Sequence, residues 1–231
     1  DQYRHPAQLL SFCKVRPGQT VVDYMPSSGW FTRILVPYLG DKGRYIGLNP
    51  DVRQGSDQLK RFLGDLGATF PAQVTEWTGV PAERIGAYNS DGVPDSVKGK
   101  VDRVLVMREV HNLWRFGLMR NELKTLWSLL DEDGLLCVEQ HRAKAKAPST
   151  YTDGNKGYLR QQDVIALIEA HGFALVAKSE INANKKDPAD HADGVWMLPP
   201  NYRNVTDEAQ RARLTAIGES DRMTLVFRKR K

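Results

Sequence analysis

The chain has 231 residues, 41% of them apolar and 26% charged, which is the mix of an ordinary globular protein. That balance excludes a disordered chain, a collagen-like repeat and a disulfide scaffold, and no apolar run approaches the roughly 20 residues that cross a bilayer. Basic residues outnumber acidic ones by only five, and four of them, Arg228, Lys229, Arg230 and Lys231, close the chain, so the excess reads as a solvated tail and not as a nucleic-acid surface.

Tyr3, Arg4 and His5 lead into a helix expected to start near Pro6, a segment placed to close over a ligand. The runs Thr20 to Tyr24 and Arg44 to Leu48 are short, apolar and bounded by turn residues or charges, which predicts buried strands. Between them Phe31, Ile34, Leu35, Tyr38 and Leu39 recur at helical spacing and mark one stripe of a helix laid on the sheet. Leu59, Phe62, Leu63 and Leu66 repeat the pattern. Val101 to Met107 and Gly134 to Glu139 are two further buried strands, with a helix stripe at Leu123, Leu126, Trp127 and Leu130 between them. Ala143 to Gly157 is rich in Lys, Ser, Gly and Pro and too long for an ordinary connection, so it is expected to cover a site or to be disordered. Val164, Leu167 and Ile168 mark another helix; strands at Phe173 to Glu180 and Met223 to Arg228, with a polar loop and a short helix between them, are expected to form a hairpin at the sheet's edge. Strands alternating with amphipathic helices define an α/β fold with a mainly parallel sheet. Cys13 and Cys137 lack the spacing of metal ligands; Cys137 falls in a buried strand, and neither decides the redox compartment.

In such a sheet, ligands bind beyond the carboxyl ends of the strands. The first strand runs through Asp23, Tyr24, Met25, Pro26, Ser27, Ser28 and Gly29 into a helix opened by Trp30 and Phe31. This strand, turn and helix start resembles the first motif of the class I methyltransferases that use S-adenosylmethionine (SAM), an acidic residue followed by a glycine-rich turn. Val101 to Leu113 resembles that family's fourth strand and following loop, and Leu129 to Leu135 its turn into the fifth strand. Arg4-His5-Pro6 and the segment Gly218 to Thr224 resemble a subgroup of predicted, largely uncharacterised bacterial members, many with export signals.

The resemblance implies a Rossmann-like single domain with a seven-stranded, mostly parallel sheet and a C-terminal antiparallel hairpin. It divides into an N-terminal helical lid (1–19), a nucleotide-binding-like core (20–141), and strands and loops over the site (142–231). It also implies SAM as cofactor, held by Asp23, Pro26, Ser27, Ser28, Gly29, Trp30, Asn49 and Asn89. Two departures stand out. Met25, Ser27 and Ser28 occupy a stretch where relatives carry glycines, and a non-glycine residue in such a conformation costs on the order of 1–3 kcal/mol. Asn49 stands where relatives place a carboxylate that accepts both ribose hydroxyls, and an amide offers one acceptor oxygen and no charge.

His111, His141 and His191 each follow a late strand and map near one sheet edge, together with Glu109 and Arg142. Histidine near its ordinary pKa suits a general base, and arginine a bidentate hold on a substrate carboxylate. A metal site from His111, His141, His191 and Glu109 is the alternative; no metal is expected. Trp30, Trp114, Tyr158 and Trp196 are candidates to wall a substrate pocket. The expected function is SAM-dependent methylation of a small molecule with a histidine base. The alternative is the same fold turned to cofactor-free proton chemistry, such as isomerisation, hydration or ester hydrolysis, on a small carboxylated substrate. Partners are expected to be small molecules, not nucleic acid, with a homodimer allowed. The chain opens at Asp1 without methionine, as after removal of an export signal, so a cytoplasmic and a periplasmic location both stay open.

Overall fold

The computed structural model describes residues 2–53, 55 and 57–230, with only the backbone of Gln58 and Phe62. Seven strands form one sheet: β1 (Thr20–Tyr24), β2 (Arg44–Asn49), β3 (Ile85–Asn89), β4 (Val101–Met107), β5 (Leu130–His141), β6 (Phe173–Ser179) and β7 (Arg222–Lys229). Their spatial order is β3-β2-β1-β4-β5-β7-β6. The first five pair in parallel, while β7 enters antiparallel between β5 and β6. The seven-stranded, mostly parallel α/β sheet with a C-terminal antiparallel hairpin is therefore present, with β7 inside the sheet and β6 at its edge.

Side chains alternate between the two faces with the period of a strand. On β4, Val104 and Val106 join a core with Leu123 and Leu126 of α6 (Met119–Leu129) and Val164 and Ile168 of α7 (Gln161–Ala170). Leu105 and Met107 face the opposite core, under α1 (Pro6–Phe12), α2 (Thr32–Leu39) and α4 (Leu66–Thr78). Between α2 and α4 along the chain lies α3 (Asp57–Leu63), and α5 (Val110–Arg115) and α8 (Glu208–Ile217) complete the helices of the described residues.

Three local expectations change. The strand β3 gave no apolar run, because Ile85-Gly86-Ala87-Tyr88-Asn89 is short and half-buried. The turn expected within Leu129 to Leu135 is a bulge inside β5, where Leu130 sits opposite Val101 but Leu135 opposite Arg103. The stretch Ala143 to Gly157 is packed only in part: Ala143 is buried with Tyr158 and Ala189, against Tyr151 and Val195, while residues 144–146 and 148–150 are exposed. The basic tail is also engaged, since Lys229 donates to the Leu130 carbonyl and lies 4.4 Å from the Trp127 ring centroid. Arg230 donates to the Glu169 carbonyl, while Lys231 lies outside the described residues. Among the described residues, no helix is long and apolar enough to cross a membrane.

Cys13, the residue after α1, forms a disulfide with Cys137 in β5, and both are fully buried. The bridge joins residues 124 apart in sequence and fixes the N-terminal helix to a central strand. Closing so long a loop removes much of the freedom of the unfolded chain. Urea unfolding of the Cys13→Ala/Cys137→Ala variant is expected to show a loss of about 2–5 kcal/mol relative to the oxidised protein.

Candidate functional site

The turn leaving β1 sets the site. Met25, Ser27 and Gly29, alternate residues, all take left-handed backbone conformations, with φ of 53°, 50° and 74°. The path that glycine permits freely is kept, although two of the three positions carry side chains. Gly29 has a packing reason to remain, because a Cβ there would fall 2.1 Å from the ring of Trp77 on α4.

Two cavities open beyond the carboxyl ends of the strands, and Met25, Ser27 and Glu109 line both. The first, about 300 Å³, is polar and is walled by Arg4, Arg108, His141, Trp196, Glu219 and Ser220. The second, about 470 Å³, lies between the turn and the start of α4, and Asn49 and Asn112 reach it. Arg4 closes one side of the first cavity, paired with Glu219 at 2.8 Å and 5.0 Å from the Trp30 ring centroid. Of the N-terminal segment, Arg4 lines the first cavity.

The carboxylates divide by environment. Asp23, at the end of β1, accepts hydrogen bonds from the hydroxyls of Thr32 and Tyr45, each at 3.0 Å. Burial pushes its pKa up to about 6. Burial likewise raises Glu109 to about 7, against a partly compensating 2.5 Å hydrogen bond from Asn112. Glu109 is therefore the carboxyl between the two cavities that exchanges a proton near neutral pH.

His111 and His141 stand side by side, while His191 is tied to Asp187. His141 is on the first cavity, its Nδ1 2.6 Å from Ser220 Oγ, and burial among cationic neighbours drives its pKa down. His111 sits behind it, ring centroids 5.7 Å apart, buried and outside the cavity lining, with its pKa lowered to about 4 mainly by desolvation. His191 is 3.0 Å from the buried Asp187, which also accepts from the hydroxyl of Tyr158. Arg142 is spent on Glu180 and Asp221 at 2.7 and 2.9 Å and lines no described cavity. Its expected hold on a substrate carboxylate is thus taken up within the protein. Among the described residues, no group of three or more His, Cys, Asp or Glu side chains is placed to hold a metal ion.

The residues expected around a cofactor are also spread. Asp23, Pro26, Ser27, Ser28 and Trp30 line the first cavity. Asn49 lines the second but donates its amide to the Leu63 carbonyl at 3.0 Å. Asn89 lines neither; it accepts from the Leu66 amide and donates to the Gly64 carbonyl, pinning the same loop. Of the candidate aromatic walls, Trp30 and Trp196 are on the cavity, whereas Trp114 is exposed and Tyr158 is buried beside Asp187. Arg108, Asn112, Glu219 and Ser220 were not expected as site residues. The motif segments containing them, Val101 to Leu113 and Gly218 to Thr224, were the available signal.

In sequence, the chain matches no family model and no curated protein significantly. In structure, it is similar to a SAM-dependent methyltransferase from Aquifex aeolicus, with 16% identity over 79% of this chain and 88% of that one and a TM-score of 0.55. The N-methyltransferase NodS from Bradyrhizobium japonicum matches at 12% identity and a TM-score of 0.54, over 100% and 97% of the two chains. The chain has the methyltransferase fold. The cyclase SpnF shares it, at 13% identity and a TM-score of 0.59 over 98% of this chain and 81% of the other.

The methyltransferase fold implies SAM, and the residues here fit it in part. The left-handed turn is kept, and the second cavity has room for a nucleoside. Asn112 Oδ1, on that cavity, is buried with no hydrogen-bond partner among the described residues, an acceptor waiting for a donor. Asn49, on the same cavity, has its amide NH2 committed to the Leu63 carbonyl.

Two measurements probe the site. Ser27 is exposed in its left-handed conformation, so Ser27→Gly is expected to stabilise the protein by about 0.5–1 kcal/mol in urea unfolding. For Glu109, whose folded pKa lies above its ordinary 4.5, the stability present at low pH is lost as pH rises through about 7. Glu109→Gln should therefore gain on the wild type between pH 5 and pH 7, the difference levelling off above that. A constant difference would contradict the raised pKa.

Proposed function

We propose that the chain is an enzyme that transfers a methyl group from SAM to a small molecule held in the first cavity, with Glu109 as the proton acceptor. The observation that carries this reading is the left-handed turn at Met25, Ser27 and Gly29, kept at an energetic cost between a nucleoside-sized chamber and a polar one. Strained backbone persists where the surroundings demand that path, and such sites are commonly functional. Met25, Ser27, Asn49 and Asn112 would hold the cofactor, which when bound supplies an electrophilic methyl group. Glu109 borders both chambers and takes up the proton that a nucleophile must lose. Its pKa near 7 suits that task, whereas the depressed pKa of His141 makes the histidine a weak base at the same pH. Trp196 and the Arg4 segment keep water from the substrate side.

A second reading, cofactor-free proton chemistry in the same cavity, is supported by three observations. Asn49 and Asn89 spend their amides on the loop 63–66. The fold is shared by SpnF, named as a cyclase. The buried disulfide fits a chain that folds in an oxidising, exported location, whereas SAM is made in the cytoplasm. A cytoplasmic location belongs with the first reading and a periplasmic one with the second.

Calorimetry with SAM and its demethylated product, S-adenosylhomocysteine, separates them. Binding of either with a Kd below about 1 mM, weakened by Asn112→Ala, is the expected result. No heat from either ligand at that concentration would sink the first reading and favour the second. On any substrate found, Glu109→Gln is expected to lower kcat by about 10²–10⁴ under either reading.

A further inference from the structure

The first cavity contains a guanidinium with no hydrogen bond of its own. Arg108, the residue after β4, takes a left-handed conformation with φ of 66° and lines the cavity. Its backbone amide is tied to the Glu139 carbonyl at 2.6 Å, but none of its side-chain nitrogens has a hydrogen-bond partner among the described residues. Nη1 is closed to solvent, and the nearest carboxylate oxygen, Glu139 Oε1, is 3.8 Å away. That oxygen is itself unbonded and is shared with Arg222, whose Nε lies 3.6 Å off.

The ion pairs around this point are unequal. Arg4 and Arg222 both pair with Glu219, at 2.8 and 2.7 Å. Glu139 is divided between Arg222 and Arg108. Three guanidiniums therefore face two carboxylates. The two remaining acids on the cavity, Asp23 and Glu109, have pKa values raised to about 6 and about 7, and near neutral pH they still carry more than one negative charge between them without bonding Arg108. Nη1, shut from water without a hydrogen bond, costs free energy, and the other guanidinium nitrogens make no hydrogen bond among the described residues.

We propose that Arg108 is the substrate-anchoring residue of this cavity, and that the substrate is a small monocarboxylate received on its planar fork, with Arg4 closing behind it. The inference deepens the reading of this cavity as the substrate chamber and rests on it. A guanidinium that makes no hydrogen bond among the described residues offers its fork to one carboxylate. A phosphate dianion would bring a second charge up to Asp23 and Glu109, so a carboxylate is the better match. The anchor places the carbon skeleton beside Glu109, the next residue in the chain, where a proton is to be removed.

Tryptophan fluorescence reads occupancy directly, because Trp30 and Trp196 both line the cavity. Benzoate, its neutral counterpart benzamide and inorganic phosphate are titrated separately into the full chain, without SAM. Benzoate is expected to bind at least tenfold more tightly than benzamide or phosphate. Arg108→Gln should remove that preference while leaving benzamide binding unchanged, Arg108→Lys should retain part of it, and Arg84→Gln, at an exposed pair with Asp41, should leave it intact. Thermal melts of each variant report whether it folds. The proposal fails if benzoate and benzamide bind alike or not at all, if phosphate binds more tightly than benzoate, or if folded Arg108→Gln or Arg108→Lys keeps the full preference. Because the titration needs neither cofactor nor turnover, its outcome stands apart from the calorimetric test of methyl transfer.

Discussion

The site depends on how the chain leaves β1. A buried parallel strand must give way to a helix within a few residues, and the path taken places Met25, Ser27 and Gly29 in left-handed conformations. Each non-glycine residue there costs on the order of 1 kcal/mol or more. Local features offset that cost. The Met25 amide bonds to the Leu48 carbonyl at 2.7 Å, its side chain is buried in the core, and Gly29 lets the Trp77 ring approach. The same turn is the partition between the two cavities, so the conformation that strains the backbone is also what creates a chamber on each side of it.

Around that partition the buried acids have separate tasks. Glu122 of α6 accepts from the Tyr24 hydroxyl, the Ser90 hydroxyl and the Asp51 amide, tying together segments beyond β1, β2 and β3. Asp187 accepts from Tyr158, from His191 and from the amides of Ala189 and Asp221, and these bonds outweigh desolvation to hold its pKa low. Asp23 is bound by Thr32 and Tyr45. Glu122 and Asp187 have donors on both oxygens and serve as fasteners, whereas both donors to Asp23 bond one oxygen. Glu109 has a single side-chain donor, Asn112, and opens onto both cavities.

The sheet was legible in the sequence because its central strands are buried on both faces and read as unbroken apolar runs, and because the helix stripes keep a 3.6-residue period. The strand β3 was not, since a half-buried edge gives neither signal. At the site, the turn's departure from glycine was visible, but the fate of individual polar groups was not. Sequence position brings His111, His141, His191 and Arg142 to one edge. It does not say that Asp187 would take His191, that Glu180 and Asp221 would take Arg142, or that Arg108 would be left without a hydrogen bond. Those outcomes turn on loops distant in sequence. For the same reason, nothing about Cys13 and Cys137 announced their pairing across 124 positions.

That disulfide bears on the cavity through the N-terminal segment. Residues 3–5 reach the site by side-chain and carbonyl contacts: Tyr3 accepts from Arg222, Arg4 pairs with Glu219, and His5 Nδ1 is 2.9 Å from Asn182 Oδ1. All three partners lie near the start of β7 or in the loop before it. Helix α1 has seven residues, too few to hold its shape alone, so its docking is tertiary. Leu9 and Leu10 bury one side of it, and the Cys13 bond to β5 fixes its end. Arg4 is thus held between two anchors, a covalent one beyond α1 and an ionic one at Glu219. The polar side of the cavity is closed by a segment whose position depends on β5 and β7, the same strands that carry Glu139 and Arg222 toward Arg108.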